Sequence, residues 1–480
     1  MNRQRDAKDG ELVLAIDQGG HASRAILFDA RGEPCAEAFA PLATSRPKDG
    51  WVEHDAESLL ASVRTAIAEA LSGIADRARL RAAGLATQRS SIVCWDRRTG
   101  EALSPVISWQ DRRNAGWLER MRLDPIAVRE TTGLVISPHY GASKLRWCLE
   151  HLPAVRAARA AGTLAAGPVS SFLLYRLIDA RPLLVDPANA SRTLLWDYRR
   201  RDWSQPLLDA FDIPRAVLPR CAGSRHPFGA LDIRGARIPL EVCTGDQSAV
   251  PFAFGEPRAD TAYINIGTGA FIQRLIGQAP DSTRGLLVSV AWQYAAEAVY
   301  ALEGTVNGAG SALERIGRQL GIDPAADFDP GNGEPPLFLN GVSGLGSPYW
   351  QPHFESRFVG TGDASACLHA VLESIAFLVV ENLRLMQEQA GPLAFAVVTG
   401  GLACRDALCR VLADLGGLAV LRPDVREATA RGLAWLVAGR PAGWQAAARR
   451  FEPSPVPELA ARHARWQAAM RAAGACADPV

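Results

Sequence analysis

Several things are missing from this chain, and each absence narrows its role. The nine cysteines are odd in number and never fall into a Cys-x-x-Cys pair, so neither a disulfide framework nor a zinc site is indicated. No charge of one sign dominates, with 52 Lys and Arg against 51 Asp and Glu. Nothing in that balance draws nucleic acid or anionic lipid to the surface. No apolar run approaches the ~20 residues that span a bilayer. The opening Met1-Asn2-Arg3-Gln4-Arg5-Asp6 is polar, with no signal-peptide core after it. These features predict a cytoplasmic protein of a reducing compartment, with no nucleic-acid and no membrane partner. A length of 480 residues exceeds what one compact core holds and predicts about two domains.

What is present begins with Ile238-Pro239-Leu240-Glu241-Val242, a β-type run that stops at Gly245 and then offers Asp246 and Gln247. A carboxylate at the carboxyl end of a buried strand stands where open α/β sheets bind ligands. A second apolar run, Tyr263-Ile264-Asn265-Ile266, turns at Gly267-Thr268-Gly269 and resumes as Ala270-Phe271-Ile272. Such a small-residue turn leaves backbone N–H groups free to face an anion. The same design opens the chain. Leu12 to Ile16 ends in Asp17-Gln18-Gly19-Gly20-His21, Ala25 to Phe28 returns, and Glu33 to Ala40 forms a third strand. Two halves that each begin strand, glycine turn, strand could grip a triphosphate from both sides, with Asp17 placed to hold Mg²⁺. The pattern reads as a kinase in which Asp246 takes a proton from a substrate hydroxyl. Read alone, Asp17 is an ordinary strand-end turn carboxylate; the second copy of the pattern is what favours the metal role. Trp109, after Val106-Ile107-Ser108, fits either a wall for a carbon skeleton or a core filler.

Eleven short stretches then occur in one order: Asp17-Gln18-Gly19 with Ser23-Arg24, Gly50-Trp51-Val52-Glu53-His54-Asp55, Thr87-Gln88-Arg89, Trp109-Gln110-Asp111-Arg112-Arg113, Thr132-Gly133-Leu134-Val135-Ile136, Asn189-Ala190-Ser191-Arg192-Thr193, Gly245-Asp246-Gln247, Gly267-Thr268-Gly269, Ala301-Leu302-Glu303-Gly304, Gly344-Leu345-Gly346-Ser347-Pro348-Tyr349-Trp350 and Arg422-Pro423-Asp424-Val425-Arg426-Glu427. Through them the chain resembles the FGGY carbohydrate kinases, their glycerol kinase branch above all, from about residue 12 to about residue 440. The resemblance implies an α/β protein of two actin-like, ribonuclease H-like ATPase domains, with ATP and a small polyol or sugar in the interdomain cleft. It implies Asp246 as the base, Gln247, Arg89 and Trp109 as polyol contacts, Phe271 as a closing wall, and Asp17 with Asp246 at Mg²⁺. Gly19, Arg24, Gly267, Thr268, Gly310 and Gly401 match nucleotide positions. Family members form homodimers or homotetramers, and no interface signature is legible here.

Departures from the family pattern bear on the substrate. Ser90 stands where glycerol kinases carry an acid, and His139 where they carry a tyrosine that bonds a glycerol hydroxyl. An imidazole and a short hydroxyl offer different donors from a phenol and a carboxylate. Glycerol therefore stays the leading acceptor, beside tetritols, pentitols and ketopentoses. At the nucleotide, Gly20-His21-Ala22 replaces a run of small hydroxyl residues, Glu314 replaces a glutamine, and Arg405 replaces an asparagine near the adenine. His21 reads either as a substitute phosphate contact or as a solvated loop residue. Arg405 reads as stacking on adenine or pointing at water, and Glu314 as a ribose contact or as the acid of a Ser311-x-x-Glu314 capping box. A phosphate-inert relative that senses ligand is the second hypothesis, opposed by the retention of Asp17, Asp246 and Gly267-Thr268-Gly269.

For layout, the domain boundary is expected near Pro251-Phe252, giving 1–250 with the acceptor site and base and 251–480 with the nucleotide site. Helices are expected over Ala56 to Ser72 and His369 to Leu385, a strand passing into a helix over Ala165 to Ile178, and a surface loop over Asp323 to Pro336. The Ala- and Arg-rich tail after Arg440 is expected to form a surface helix whose arginines face solvent.

Overall fold

The structure is a computed structural model that describes residues 10–74, 76–233, 235–281, 284–324 and 334–476. The polar N-terminal segment and most of the expected Asp323 to Pro336 loop lie outside the described residues. Five strands of the first sheet come in a plan that repeats in the second. Leu12–Gln18 runs antiparallel to Ala22–Phe28, which turns back into Pro34–Pro41. On the other side Leu80–Thr87 lies parallel to Leu12–Gln18, and Ala236–Gly245 lies parallel to Leu80–Thr87. Arg225–Ile233 adds an antiparallel edge. In the second sheet Thr261–Ile266, Ala270–Ile276 and Glu297–Val306 form the antiparallel trio. Phe395–Thr399 and Ala419–Pro423 are the parallel pair, and Leu287–Tyr294 and Ala448–Phe451 are the edges. This is the two-lobed α/β plan that the resemblance implies.

The central strands read as unbroken apolar runs because both faces are covered. Leu12, Val13, Leu14, Ala15 and Ile16 are all buried. One face of the first sheet carries the helix Ala56–Ala70, whose start is capped by the Asp55 carboxylate accepting from Ser58 N at 2.7 Å. The other face carries Ala428–Val437, a helix from the far end of the chain. That contact is close enough to require glycine on both sides. A Cβ at Gly84 would sit 2.7 Å from Val437 Cγ2, and one at Gly432 would sit 2.0 Å from Ala249 O. Trp444 follows the helix and donates from Nε1 to Ala30 O at 2.9 Å.

The second lobe is built on Ala364–Ala390, longer than the helix expected from periodicity and capped by Asp363. It is long and apolar enough to cross a membrane, but 78% of its most apolar window is buried inside the protein. Glu373, in its middle, is buried and pairs with Arg462 at 2.6 Å. This corrects the expectation for the C-terminal helix Pro457–Ala472 at one arginine: Arg462 is buried, as are His463, Trp466 and Met470, because a carboxylate enclosed in an apolar helix needs a cation. Arg465 and Arg471 are exposed as expected. The capping box, one of the two readings of Glu314, does not form. The helix starts at Gly310 with no side-chain cap, and Ser311 Oγ donates to Thr268 O at 3.1 Å instead.

Candidate functional site

The acceptor side of the site follows from sheet register. Gln18 and Gly245 both flank Thr87 across the parallel strands, so Asp17, Arg89 and Asp246 emerge on one rim. Gly245 is needed there for close approach, since a Cβ would lie 2.5 Å from Arg89 Cδ. A cavity of about 180 Å³ opens at this rim. Arg89, Trp109, His139, Asp246 and Gln247 line it, with Gly20 and the exposed His21 from the first hairpin and Phe271 from the second lobe. Ser90 is buried beside the cavity and is not among its lining residues. It sits at φ 64° with its Oγ unpartnered among the described residues.

Asp246 is poised between burial and charge. Its Oδ1 accepts from Gln247 N at 2.7 Å and lies 3.8 Å from Arg89 Nε. Burial raises its pKa, outweighing the opposing pull of Arg89. Asp17 is pushed up to about 7, first by burial and then by the charge of Asp246. A pair in which the charge of Asp246 raises Asp17 fits Mg²⁺, which binds through one or two carboxylates and completes its shell with water and phosphate. Among the described residues no group of three or more His, Cys, Asp or Glu stands together as a ready-made metal cage.

Arg89 is aimed from the second lobe. Its two terminal nitrogens donate to the two oxygens of Glu303 at 3.0 Å each, a fork that fixes the guanidinium plane. Ser289 Oγ also donates to Glu303, and Arg192 Nη1 lies 3.5 Å from it. Burial alone would raise the Glu303 pKa, but Arg192, Arg89 and the bonds from Arg89 and Ser289 hold it at about 2. His139 is half-buried, with its ring 5.5 Å from that of Trp109. Burial, and then Arg192, Lys144, Arg112 and Arg89, push its pKa well below the usual range, so the imidazole is neutral. Lys144 Nζ donates to Ser90 O at 3.0 Å and His139 O at 2.6 Å. One buried lysine thus braces the backbone of both acceptor-side positions read above as departures.

Behind the cavity, Trp51, Glu53, Asp111 and Arg113 have structural work. The Arg113 guanidinium lies 4.0 Å from the Trp51 ring and 4.7 Å from that of Trp147. It pairs with Glu53 at 2.7 Å and Asp111 at 2.9 Å. Asp111 also accepts from Val52 N at 2.6 Å. This knot anchors the loop that presents Trp109.

On the nucleotide side, Gly267, Thr268 and Gly269 join two strands and pack against a helix start. Gly310 N donates to Gly267 O at 2.9 Å, and Ser311 N donates to Thr268 O at 3.1 Å. A Cβ at Gly310 would lie 2.7 Å from Gly267 O. Gly19 N donates to Ala22 O at 2.9 Å in the matching turn of the first lobe. Arg24 reaches across the lobes to Glu427 at 3.5 Å. Gly401 opens a single turn after Gly400, whose φ of 90° brings it against Asn265. Arg405 is bonded to Pro324 O, so it does not simply point at water. Glu314 is exposed on Gly310–Leu320. The nucleotide candidates are more dispersed than the acceptor candidates, which gather around one cavity.

Sequence reasoning missed Arg192, Glu303 and Lys144 as members of this cluster. Arg192 and Glu303 each lay in a quoted motif. Their signal was a charge inside a run of apolar and small residues, which demands a buried partner.

Two lobes on one repeated sheet plan, with a rim carboxylate and an aimed arginine meeting a glycine hairpin from each half, define a phosphotransferase that acts on an alcohol group. Residues 12–254 match the N-terminal domain, and 262–439 the C-terminal domain, of the FGGY family of carbohydrate kinases. A glycerol kinase of Geobacter sp. (strain M21) is 37% identical over 491 aligned positions, covering 96% of this chain and 98% of that one. Among solved structures, Plasmodium falciparum glycerol kinase with ADP superposes with a TM-score of 0.87 at 22% identity, covering 96% and 98% of the two chains. Xylulose kinase from Rhodospirillum rubrum superposes at 0.84 and 20%, covering 96% and 99%. The chain belongs to the FGGY family of carbohydrate kinases, enzymes that transfer phosphate from ATP to a hydroxyl of a polyol or sugar.

Proposed function

We propose that the acceptor is a small polyol, glycerol in first place, and that Asp246 is the base. The observation that carries this reading is the cavity that joins Asp246 to Arg89, Trp109, His139, Gln247 and Phe271. Its volume of about 180 Å³ is roughly that of six waters, suited to three to five carbons with their hydroxyls. Glycerol is also what the curated relatives are named for. Asp246 accepts the proton of the attacking hydroxyl, and its raised pKa brings it closer to the pH at which a base works best. Arg89 and Gln247 orient that hydroxyl, and Trp109 and Phe271 flank the carbon chain. Ser90 and His139 tune which polyol is preferred. Gly19, Gly20, His21, Arg24, Gly267, Thr268, Gly310, Glu314, Gly401 and Arg405 surround the nucleotide. Asp17 and Asp246 hold Mg²⁺, which when bound neutralises charge on the transferring phosphoryl group. Most of the catalytic effect is positioning, as phosphoryl transfer requires.

His139 and Ser90 favour a second reading at the level of substrate. A neutral imidazole in place of a phenol, and no acid after Arg89, leave room for a tetritol, pentitol or ketopentose. A coupled ADP-release screen with Mg-ATP over glycerol, tetritols, pentitols and ketopentoses tests both. Glycerol is expected to give the highest kcat/KM, and release with none of them would overturn the kinase reading in favour of a ligand sensor. We place the division of labour at residues 1–250 for acceptor and base and 251–480 for nucleotide, in a cytoplasmic enzyme.

A further inference from the structure

We propose that Arg192 is a second guanidinium contact to the acceptor's hydroxyls, set in place by Glu303 from the opposite lobe. The proposal rests on the kinase reading above and adds a binding residue to it. Arg192 lines the cavity, yet its side chain is only 5% exposed. Its Nε and Nη1 have no hydrogen-bond partner among the described residues. The nearest anion, Glu303 Oε2 at 3.5 Å, is already engaged. Both Glu303 oxygens are taken by the Arg89 fork, and one of them by Ser289 as well. A buried guanidinium that keeps unmet donors is unfavourable unless something else meets them.

The cavity supplies the place for that something. The Tyr140 ring covers one side of the guanidinium, with Arg192 Cζ 5.4 Å from the ring centroid. Position comes from the backbone as well as from charge. Ser191 Oγ accepts from Val290 N at 3.1 Å, which ties the Ser191–Thr193 turn to the strand that carries Ser289. Glu303 pairs with both arginines and reaches them from the second lobe, so it acts as a positioning residue for two hydroxyl-binding groups. The acceptor site is therefore assembled from both lobes.

The test is steady-state kinetics with glycerol and Mg-ATP, with melting temperature measured for every variant. Arg192→Lys keeps a charge opposite Glu303 and loses Nε and the planar fork. It should raise the KM for glycerol by ~10- to 100-fold while the KM for ATP stays near native. Arg192→Gln, which keeps a donor and loses the charge and the planar fork, should raise the same KM and serves if Arg192→Lys does not fold. A purely structural Arg192 would only balance the charge of Glu303. In that case Arg192→Lys, which keeps the positive charge, would leave the glycerol KM unchanged, and this result in a folded variant overturns the proposal. If the wild type releases no ADP with any polyol or ketose, the kinase reading falls and takes this proposal with it. If the wild type is active and Arg192→Lys matches it, only this proposal falls.

Discussion

Asp246→Asn should slow turnover by ~10²–10⁴, the usual contribution of a positioned base, and should leave the protein at least as stable as before. The two halves of that expectation come from the same geometry. Asparagine Oδ1 can keep accepting from Gln247 N, now at 2.7 Å. Arg89 is not orphaned, because its two 3.0 Å bonds go to Glu303. The carboxylate that is lost carries a pKa raised by burial, so its charged form is disfavoured in the folded state, and it raises Asp17 besides. A neutral amide removes both penalties. Without Mg²⁺ the melting temperature should therefore hold or rise, a gain of ~1 kcal/mol corresponding to about 2–4 °C for lobes of this size. Calorimetry gives the melting temperature, isothermal titration the glycerol affinity, and coupled ADP release the rate. Near-native turnover would falsify the base assignment. A clear drop in melting temperature would refute the claim that the charge is held at a cost.

Three further expectations address other parts of the molecule. Ser90→Glu together with His139→Tyr should move preference toward glycerol over longer polyols in the ADP-release screen, and unchanged selectivity would show that these positions do not govern the acceptor. Gly432→Ala puts a Cβ 2.0 Å from Ala249 O, so it should destabilise by ~1–3 kcal/mol or more; an unchanged thermal midpoint would contradict the packing described. Glu303 has its pKa lowered from 4.5 to about 2, so its contribution to stability is present above pH 4.5 and drains away as pH falls toward about 2. Glu303→Gln should flatten that part of the acid-denaturation curve, and an identical curve would refute the ion cluster.

Positions fixed by local structure were legible in the sequence. Asp17, Asp246 and Gly267-Thr268-Gly269 announce themselves because a strand that ends in a small turn leaves the turn's own groups open to a ligand. Arg192 and Glu303 were not, because their chemistry exists only when two lobes meet; 214 positions separate Arg89 from Glu303. The Ala- and Arg-rich tail misled for the same reason, since Arg462 is drawn inward by a carboxylate 89 positions away. Ser311 and Glu314 have the spacing of a capping box, yet a bond from Ser311 to the Thr268 carbonyl won over the local motif. Trp51, Asp111 and Arg113 were visible as motif residues, but nothing in their order showed that they brace a loop.

The seating of Ala428–Val437 on the first sheet has a practical consequence for anyone who divides the gene. A fragment ending near residue 250 would carry a bare greasy face where Leu433 and Val437 belong, and Gly84 would lie open beneath it. Such a fragment should clump or stay unfolded when made alone, and become soluble when co-expressed with the remainder. The polypeptide closes a loop on itself, its tail finishing what its head begins.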